Sequence, residues 1–254
     1  MRMVREYINY WLKGRNRHGV HSPFIYRFND YCLRIDVPKR VKEEFKNYVR
    51  SLKENGKERQ SFSLKSNSNK PIEGDDLTGD ARIPFKYLKL IYRIAYCYHP
   101  KRVVCFGDTL GFFTSMFKQA NSQTEIDLFT GGTLDQPNLA RVFPQEWQKR
   151  VTFHHGWSED SFTLLQQDAL FDMVFIDGRQ SVEGIDTILD KVSSFIHDET
   201  IFLIYGIRED LLVRKKWKEW SKSKAFHVTI DLFQMGVMVR RKHQAKEHFT
   251  IRYR

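Results

Sequence analysis

The stretch from about Arg102 to Arg241 predicts a doubly wound α/β domain around a mostly parallel, seven-stranded sheet. Three observations predict it. Short apolar runs alternate with amphipathic stretches five times in succession. Two further apolar runs then follow, separated only by a tight turn. The glycine-containing segment Phe106-Gly107-Asp108-Thr109-Leu110-Gly111 stands directly after the first run, where such sheets open their ligand crevice.

The first strand is Val103 to Phe106, followed by a helix from Gly111 to Ala120. Ile126 to Phe129 is the second strand, with a helix around Gln136 to Phe143. Val151 to His154 is the third, with a helix after Ser158. Phe171 to Asp177 is the fourth, followed by a helix from Val182 to Ile196. Ile201 to Ile204 is the fifth, followed by a charged helix over 209–222. Phe226 to Phe233 and Gly236 to Arg240 read as an antiparallel hairpin across Gln234-Met235. Continuous apolar runs, rather than alternating ones, are what strands buried on both faces require.

The N-terminal part reads differently. Val4, Tyr7, Ile8 and Trp11 fall at helical spacing, as do Val41, Phe45, Tyr48, Val49 and Leu52. The segment His18 to Phe24 is a loop by its glycine and proline, with Pro23 able to open a helix. Residues 53–81 are polar and contain Ser-Asn-Ser-Asn at 66–69, which predicts a long mobile loop. Tyr87 to Tyr98 is an apolar helix ended by Pro100. The expected division is therefore 1–100, a helical extension, and 101–254, the α/β domain with a basic C-terminal tail.

Composition narrows the class. At 254 residues and 41% hydrophobic content, the chain can build a sizeable core, which argues against global disorder. The three cysteines, Cys32, Cys97 and Cys105, are odd in number and widely spaced, which suits a reducing cytoplasm better than a disulfide framework or a zinc site. Residues 1–11 carry charges and form no apolar signal segment, and no run is long enough for a membrane-spanning helix. The net charge of +11 is uneven: residues 1–50 carry +7, 205–224 carry +4 and 240–254 carry +5, leaving −5 on the rest. A basic rim of this kind attracts nucleic acid or an anionic substrate, or simply keeps the surface solvated. Its aromatics form no recognisable RNA-binding motif, so the nucleic-acid reading is weakly supported.

Chemistry concentrates at the strand ends. Gly107 and Gly111 let the backbone turn sharply and approach a ligand, and the following helix start offers unpaired N–H groups. Two glycines of this kind serve equally well as a packing turn. Asp177, in Phe175-Ile176-Asp177-Gly178, ends the fourth strand, where a carboxylate either faces the crevice or caps the next turn. His154 and His155 alternate on a strand and so point apart, which argues for structural roles and against a shared metal. His18 and His21 flank a turn and could cap or bind, with structural roles favoured; His243 and His248 sit in the basic tail with no acidic pair at ligand spacing, and no metal is expected.

At these residues the chain resembles a class I S-adenosylmethionine-dependent methyltransferase-like family, Rossmann-like in fold, from Bacteroidetes-type bacteria. The match rests on His18 to Phe24, on Phe106 to Gly111 with Phe175 to Gly178, and on Gln244 to Arg252, and it spans nearly the whole chain. The resemblance implies the sheet order 3-2-1-4-5-7-6 with the last strand antiparallel. It implies S-adenosylmethionine as cofactor, lined by Gly107, Asp108, Thr109, Gly111 and Thr130, with Gly156 and Trp157 near the adenine and Asp177 facing the methyl-transfer centre. The acceptor is left open, a small molecule or another unknown one.

The chain also departs from that pattern. Cys105 stands where the family has an acidic residue before the glycine turn. Thr130 stands where a carboxylate normally holds the ribose hydroxyls. Gln180 replaces a histidine, and Tyr205-Gly206 replaces an acidic pair. Losing a charged hydrogen-bond acceptor costs about 1.5–3 kcal/mol, roughly ten- to hundredfold in affinity. Two readings follow: a divergent methyltransferase, and a catalytically degenerate member serving as a binding or scaffold module.

Overall fold

The computed structural model describes residues 2–14, 23–57, 83–108, 110–130, 143–156, 159–163, 165, 170–179 and 184–253. Among the described residues, four helices lead the chain: α1 (Arg2–Lys13), α2 (Pro23–Arg27), α3 (Lys39–Lys57) and α4 (Phe85–Tyr98), with a π-turn, Phe28–Cys32, directly after α2. The alternating part then runs β1 (Arg102–Phe106), α5 (Phe112–Ala120), β2 (Glu125–Thr130), α6 (Gln145–Gln148), β3 (Val151–His155), α7 (Glu159–Thr163), β4 (Phe171–Asp177), α8 (Ile185–Val192), β5 (Ile196–Tyr205) and α9 (Leu211–Lys222). Strands β6 (Val228–Asp231), β7 (Met235–Val239) and β8 (Glu247–Thr250) complete it.

The sheet is ordered β3-β2-β1-β4-β5-β7-β6-β8. Strands β1 to β5 are parallel, with Val103 opposite Ile126 on one side and Met173 on the other. Order reverses at β1, so the crevice between the ends of β1 and β4 is the switch point where ligands bind in such sheets. β7 runs antiparallel to both β5 and β6, as the hairpin pattern requires.

The expectation of seven strands is corrected to eight. The segment read as a basic tail contains β8, which pairs in parallel with β6, Ile230 opposite Phe249. Phe249 and Ile251 are buried while His248 is exposed. That period of two is short and set among basic residues, so composition hid it. Two boundaries also move. Helix α3 continues to Lys57, through residues expected to begin the long loop, because propagating an existing helix is far easier than starting one. Helix α8 stops at Val192, a 3₁₀ turn over Ser193–Phe195 follows, and Ile196 already begins β5. A register irregularity between Phe171 and Met173 accommodates this longer strand. The helix expected from Gln136 falls mostly on residues 131–142, outside those described, as do His18, His21 and residues 58–81.

Successive strand residues feed opposite faces of the sheet. Val103, Cys105, Leu128 and Phe175 join α4, α5 and the N-terminal helices through Ile25, Phe28, Val41 and Tyr48. Val104, Phe106, Phe129 and Ile176 join α7, α8 and α9 through Phe162, Ile188 and Trp217. On the first face, the rings of Phe113 and Phe175 lie 4.3 Å apart, a pairing that adds about 0.5–1.5 kcal/mol beyond area burial. Helix α1 is fixed to the far end of the chain: the Tyr10 hydroxyl donates to the Ile251 carbonyl, the Tyr253 N–H donates to that hydroxyl at 2.8 Å, and Arg252 donates to the Trp11 carbonyl at 2.8 Å. No helix among the described residues is long and apolar enough to cross a membrane.

Candidate functional site

The glycine turn leaves β1 with Gly107 at φ 83° and reaches α5 through Gly111 at φ 65°. Both are left-handed conformations that a side chain disfavours. The Gly107 N–H donates to the Phe129 carbonyl at 3.0 Å, which ties the turn to β2. At Gly111 a Cβ atom would lie 2.6 Å from the Tyr48 hydroxyl and 2.7 Å from the Phe143 ring. Tyr48 reaches in from α3, and its hydroxyl donates to the Leu110 carbonyl at 2.8 Å. Burial, with Asp108 nearby, raises the Tyr48 pKa, so it remains a neutral donor. No local signal marks Tyr48 as part of this turn, because 62 residues separate it from Leu110.

Asp108 points inward rather than toward open solvent. Its side chain accepts the N–H groups of Phe113 at 3.2 Å and Thr114 at 2.5 Å, so it caps α5. Burial pushes its pKa up to about 6, against the lowering by those hydrogen bonds. Cys105, behind the turn, is fully buried, and burial raises its thiol pKa.

Thr130 ends β2 with 1% of its surface exposed, and its hydroxyl has no hydrogen-bond partner among the described residues. The Thr130 carbonyl accepts the Gly156 N–H at 2.9 Å. Gly156 has φ 66°, and nothing among the described residues lies within 4 Å of where its Cβ would be. An orphaned buried hydroxyl beside open backbone fits a ligand edge carrying hydroxyl groups. Thr109 and Trp157 lie outside the described residues.

Asp177 is 2% exposed and already engaged. Its Oδ1 accepts the Arg179 backbone N–H at 3.0 Å and Nε at 2.9 Å, and its Oδ2 accepts Nη2 at 2.6 Å. Burial opposes the Arg179 charge, yet Asp177 outweighs it and the guanidinium pKa rises. That guanidinium lies 4.8 Å from the Tyr205 ring centroid. Gly206, at φ 78°, leaves room for it: a Cβ there would sit 2.9 Å from Arg179 Cγ. Gly178 packs equally closely, since its Cβ would meet the Tyr205 carbonyl at 2.8 Å. The Tyr205 hydroxyl is buried without a partner among the described residues, and burial raises its pKa. Arg179 was missed in the sequence because attention falls on the carboxylate; the only available signal is a basic residue two positions after it.

The two histidines of β3 do point apart. His154 is buried, stacks 4.4 Å from Phe129 and shares a 2.8 Å hydrogen bond with Asp127, while His155 is exposed.

The structure thus gathers Gly107, Asp108, Gly111, Thr130, Gly156 and Asp177 along the carboxyl ends of β1, β2, β3 and β4. No family model and no curated protein matches the chain. Solved structures do. The SAH-bound methyltransferase PaMTH1 of Podospora anserina aligns over 87% of this chain and 96% of its own, at 15% identity and TM-score 0.54. The O-methyltransferase TomG of Streptomyces achromogenes, in complex with SAM, covers 82% and 92% at 12% identity and TM-score 0.54. A methyltransferase from Geobacter sulfurreducens covers 82% and 92% at 13% identity and TM-score 0.52. At such identities the likeness is one of fold: the chain has the α/β architecture of these methyltransferases, extended by an eighth strand.

Proposed function

We propose that the protein is an S-adenosylmethionine-dependent methyltransferase acting on an unidentified small-molecule acceptor. The observation that carries this reading is the Thr130 hydroxyl, buried and unpartnered among the described residues at the end of β2, beside the open backbone of Gly156. Two SAM- or SAH-bound proteins of the same fold support it. Residues 1–100 act as a helical extension and 101–254 as the α/β domain, with one hydrophobic cluster running through both. The cysteine usage suits a cytoplasmic, bacterial protein of the Bacteroidetes-type family it resembles.

S-adenosylmethionine, when bound, supplies a methyl group on a sulfonium, which a nucleophile takes by in-line displacement. Gly107, Thr109 and Gly111 would cradle it with backbone, Thr130 would accept or donate to its hydroxyls, and Gly156 and Trp157 would flank its base. Asp108 holds α5 in place through two backbone N–H groups. Asp177 faces the acceptor end, where it fixes Arg179 against Tyr205 rather than standing free. Positioning alone supplies up to roughly 7–11 kcal/mol of a two-reactant barrier, so a dedicated base is not obligatory.

Calorimetric titration with S-adenosylmethionine and S-adenosylhomocysteine tests this. Micromolar binding, lost in Gly107→Val, is the expected result. No heat and no thermal shift at millimolar ligand would sink it. The second reading, a binding or scaffold module, is favoured by the occupied Asp177. It predicts no heat and no thermal shift in the same titration. Association of nucleic acid with the basic rim is a weaker reading, which predicts affinity falling steeply with salt.

A further inference from the structure

Cys32 and Cys97 lie far apart in sequence and away from the strand ends that form the proposed cofactor site. Cys32 closes the π-turn, whose widened ring is completed by the Leu33 N–H donating to the Phe28 carbonyl at 3.1 Å. Single π-turns rotate the residues that follow and recur at functional positions. Here the turn buries Cys32 to 2% exposure against the last turn of α4, where Cys97 stands. Both thiols line one open hollow of roughly 510 Å³, together with Arg27, Tyr31, Tyr98 and His99.

The two sulfurs are not equivalent. Cys97 is half-buried, so a small reagent in the hollow can reach it. The Cys32 thiol and the Arg27 charge lie beside it; together they outweigh burial and lower the Cys97 pKa. The nearness of Cys97, with burial, raises the pKa of Cys32, which keeps its proton. Cys105 lacks these features: it is fully buried beneath the sheet, and its thiol is pushed up. An accessible thiol with a lowered pKa, beside a cation and a second thiol, is the arrangement found at redox-reactive cysteines.

We propose that Cys97 and Cys32 form a dithiol site for peroxide-class oxidants, Cys97 attacking and Cys32 resolving. In the first step the Cys97 thiolate attacks a peroxide oxygen. An S–O bond forms, the O–O bond breaks, and the leaving oxygen departs as water or alcohol after taking a proton. Cys97 is then a sulfenic acid. In the second step the Cys32 sulfur attacks the Cys97 sulfur. The S–S bond forms, the S–O bond breaks, and the hydroxyl leaves as water with the Cys32 proton. The dithiol loses two electrons and the peroxide gains them. The product links the π-turn to the end of α4, and a thiol reductant reverses it. Such transient disulfides are compatible with a reducing cytoplasm.

The test treats the full-length protein with hydrogen peroxide, alkylates remaining thiols and maps the peptides by mass spectrometry. The expected product is two hydrogens lighter, carries a Cys32–Cys97 cross-linked peptide, and returns to starting mass with dithiothreitol. Cys105 stays reduced until the protein is unfolded. In Cys32→Ala, a sulfenic-acid probe labels Cys97; in Cys97→Ala, Cys32 stays unmodified. The wild-type map needs no variant to fold. The proposal is overturned if Cys97 passes to sulfinic acid without the link, if Cys105 oxidises first, or if both thiols stay reduced while a free cysteine peptide in the same tube is consumed.

Discussion

The two ends of the crevice handle polarity in opposite ways. At the β2 and β3 end, Thr130 keeps a buried hydroxyl without a partner among the described residues, and Gly156 faces open space. At the β4 and β5 end, Asp177 is saturated by three donors of Arg179, Arg179 lies on Tyr205, and Gly178 and Gly206 let the backbones close around them. One end keeps unused hydrogen-bonding capacity among the described residues; most of the other completes itself. A buried ion pair is costly to assemble and costlier to break, so the β4 end contributes rigidity, while the β2 end leaves hydrogen-bonding capacity for a ligand.

That contrast can be broken most forcefully at Arg179. Arg179→Ala leaves the Asp177 carboxylate buried alone and lowers unfolding stability by about 3–5 kcal/mol. Urea denaturation of the variant measures this, and the double variant Asp177→Asn/Arg179→Leu recovers most of it. A single-variant loss below about 1 kcal/mol would show that the pair is not structural.

The turn between the two ends comes next. Asp108 has a pKa raised to about 6 in the folded protein, from 3.8. Between those values the folded state binds more protons than the unfolded state, so stability rises as pH falls through the window and is lost as pH climbs back. The full swing is roughly 3 kcal/mol. Denaturation midpoints at pH 7 and pH 5 capture somewhat under half of it, and Asp108→Asn removes this component of the difference. Equal pH dependence in the two proteins contradicts the assignment.

The smallest effect belongs to Thr130. Thr130→Val removes a hydroxyl with no partner among the described residues, so stability changes little, whereas S-adenosylmethionine binding weakens by about 0.5–1.5 kcal/mol, or two- to tenfold. Calorimetry and a thermal melt on the same sample separate the two readouts. Lost stability with unchanged binding would reverse the contrast.

Much of the architecture was legible because burial on both faces writes continuous apolar runs: Phe171 to Asp177 is a strand with the bounds its composition suggests. The hairpin was readable, but its turn falls at Phe233-Gln234, since Met235 already pairs within β7 and β6 ends at Asp231. What escaped depends on distance or on mixed signals. Tyr48 reaches the glycine turn from 62 residues away, and no local pattern announces that contact. β8 alternates over only four residues amid basic neighbours. At the site, glycine spacing located the turn, but whether Asp108 faces a ligand or its own helix depends on a side-chain torsion, which spacing does not encode. Asp177 was found and its partner was not, since a carboxylate at a strand end reads the same whether it is free or bridged.

The clasp between Tyr10 and Ile251 joins residues 241 positions apart. During synthesis, α1 leaves the ribosome long before the strand it grips exists. Its aromatic residues Tyr7 and Tyr10, which finish against Phe233, therefore pass through translation without their packing partners. Long-range closure of this kind is slow, and the waiting segment is exposed to association with other chains. Helix α1 can therefore take up these contacts only after its partners are made, and its attachment reports that the chain through Tyr253 has been synthesised.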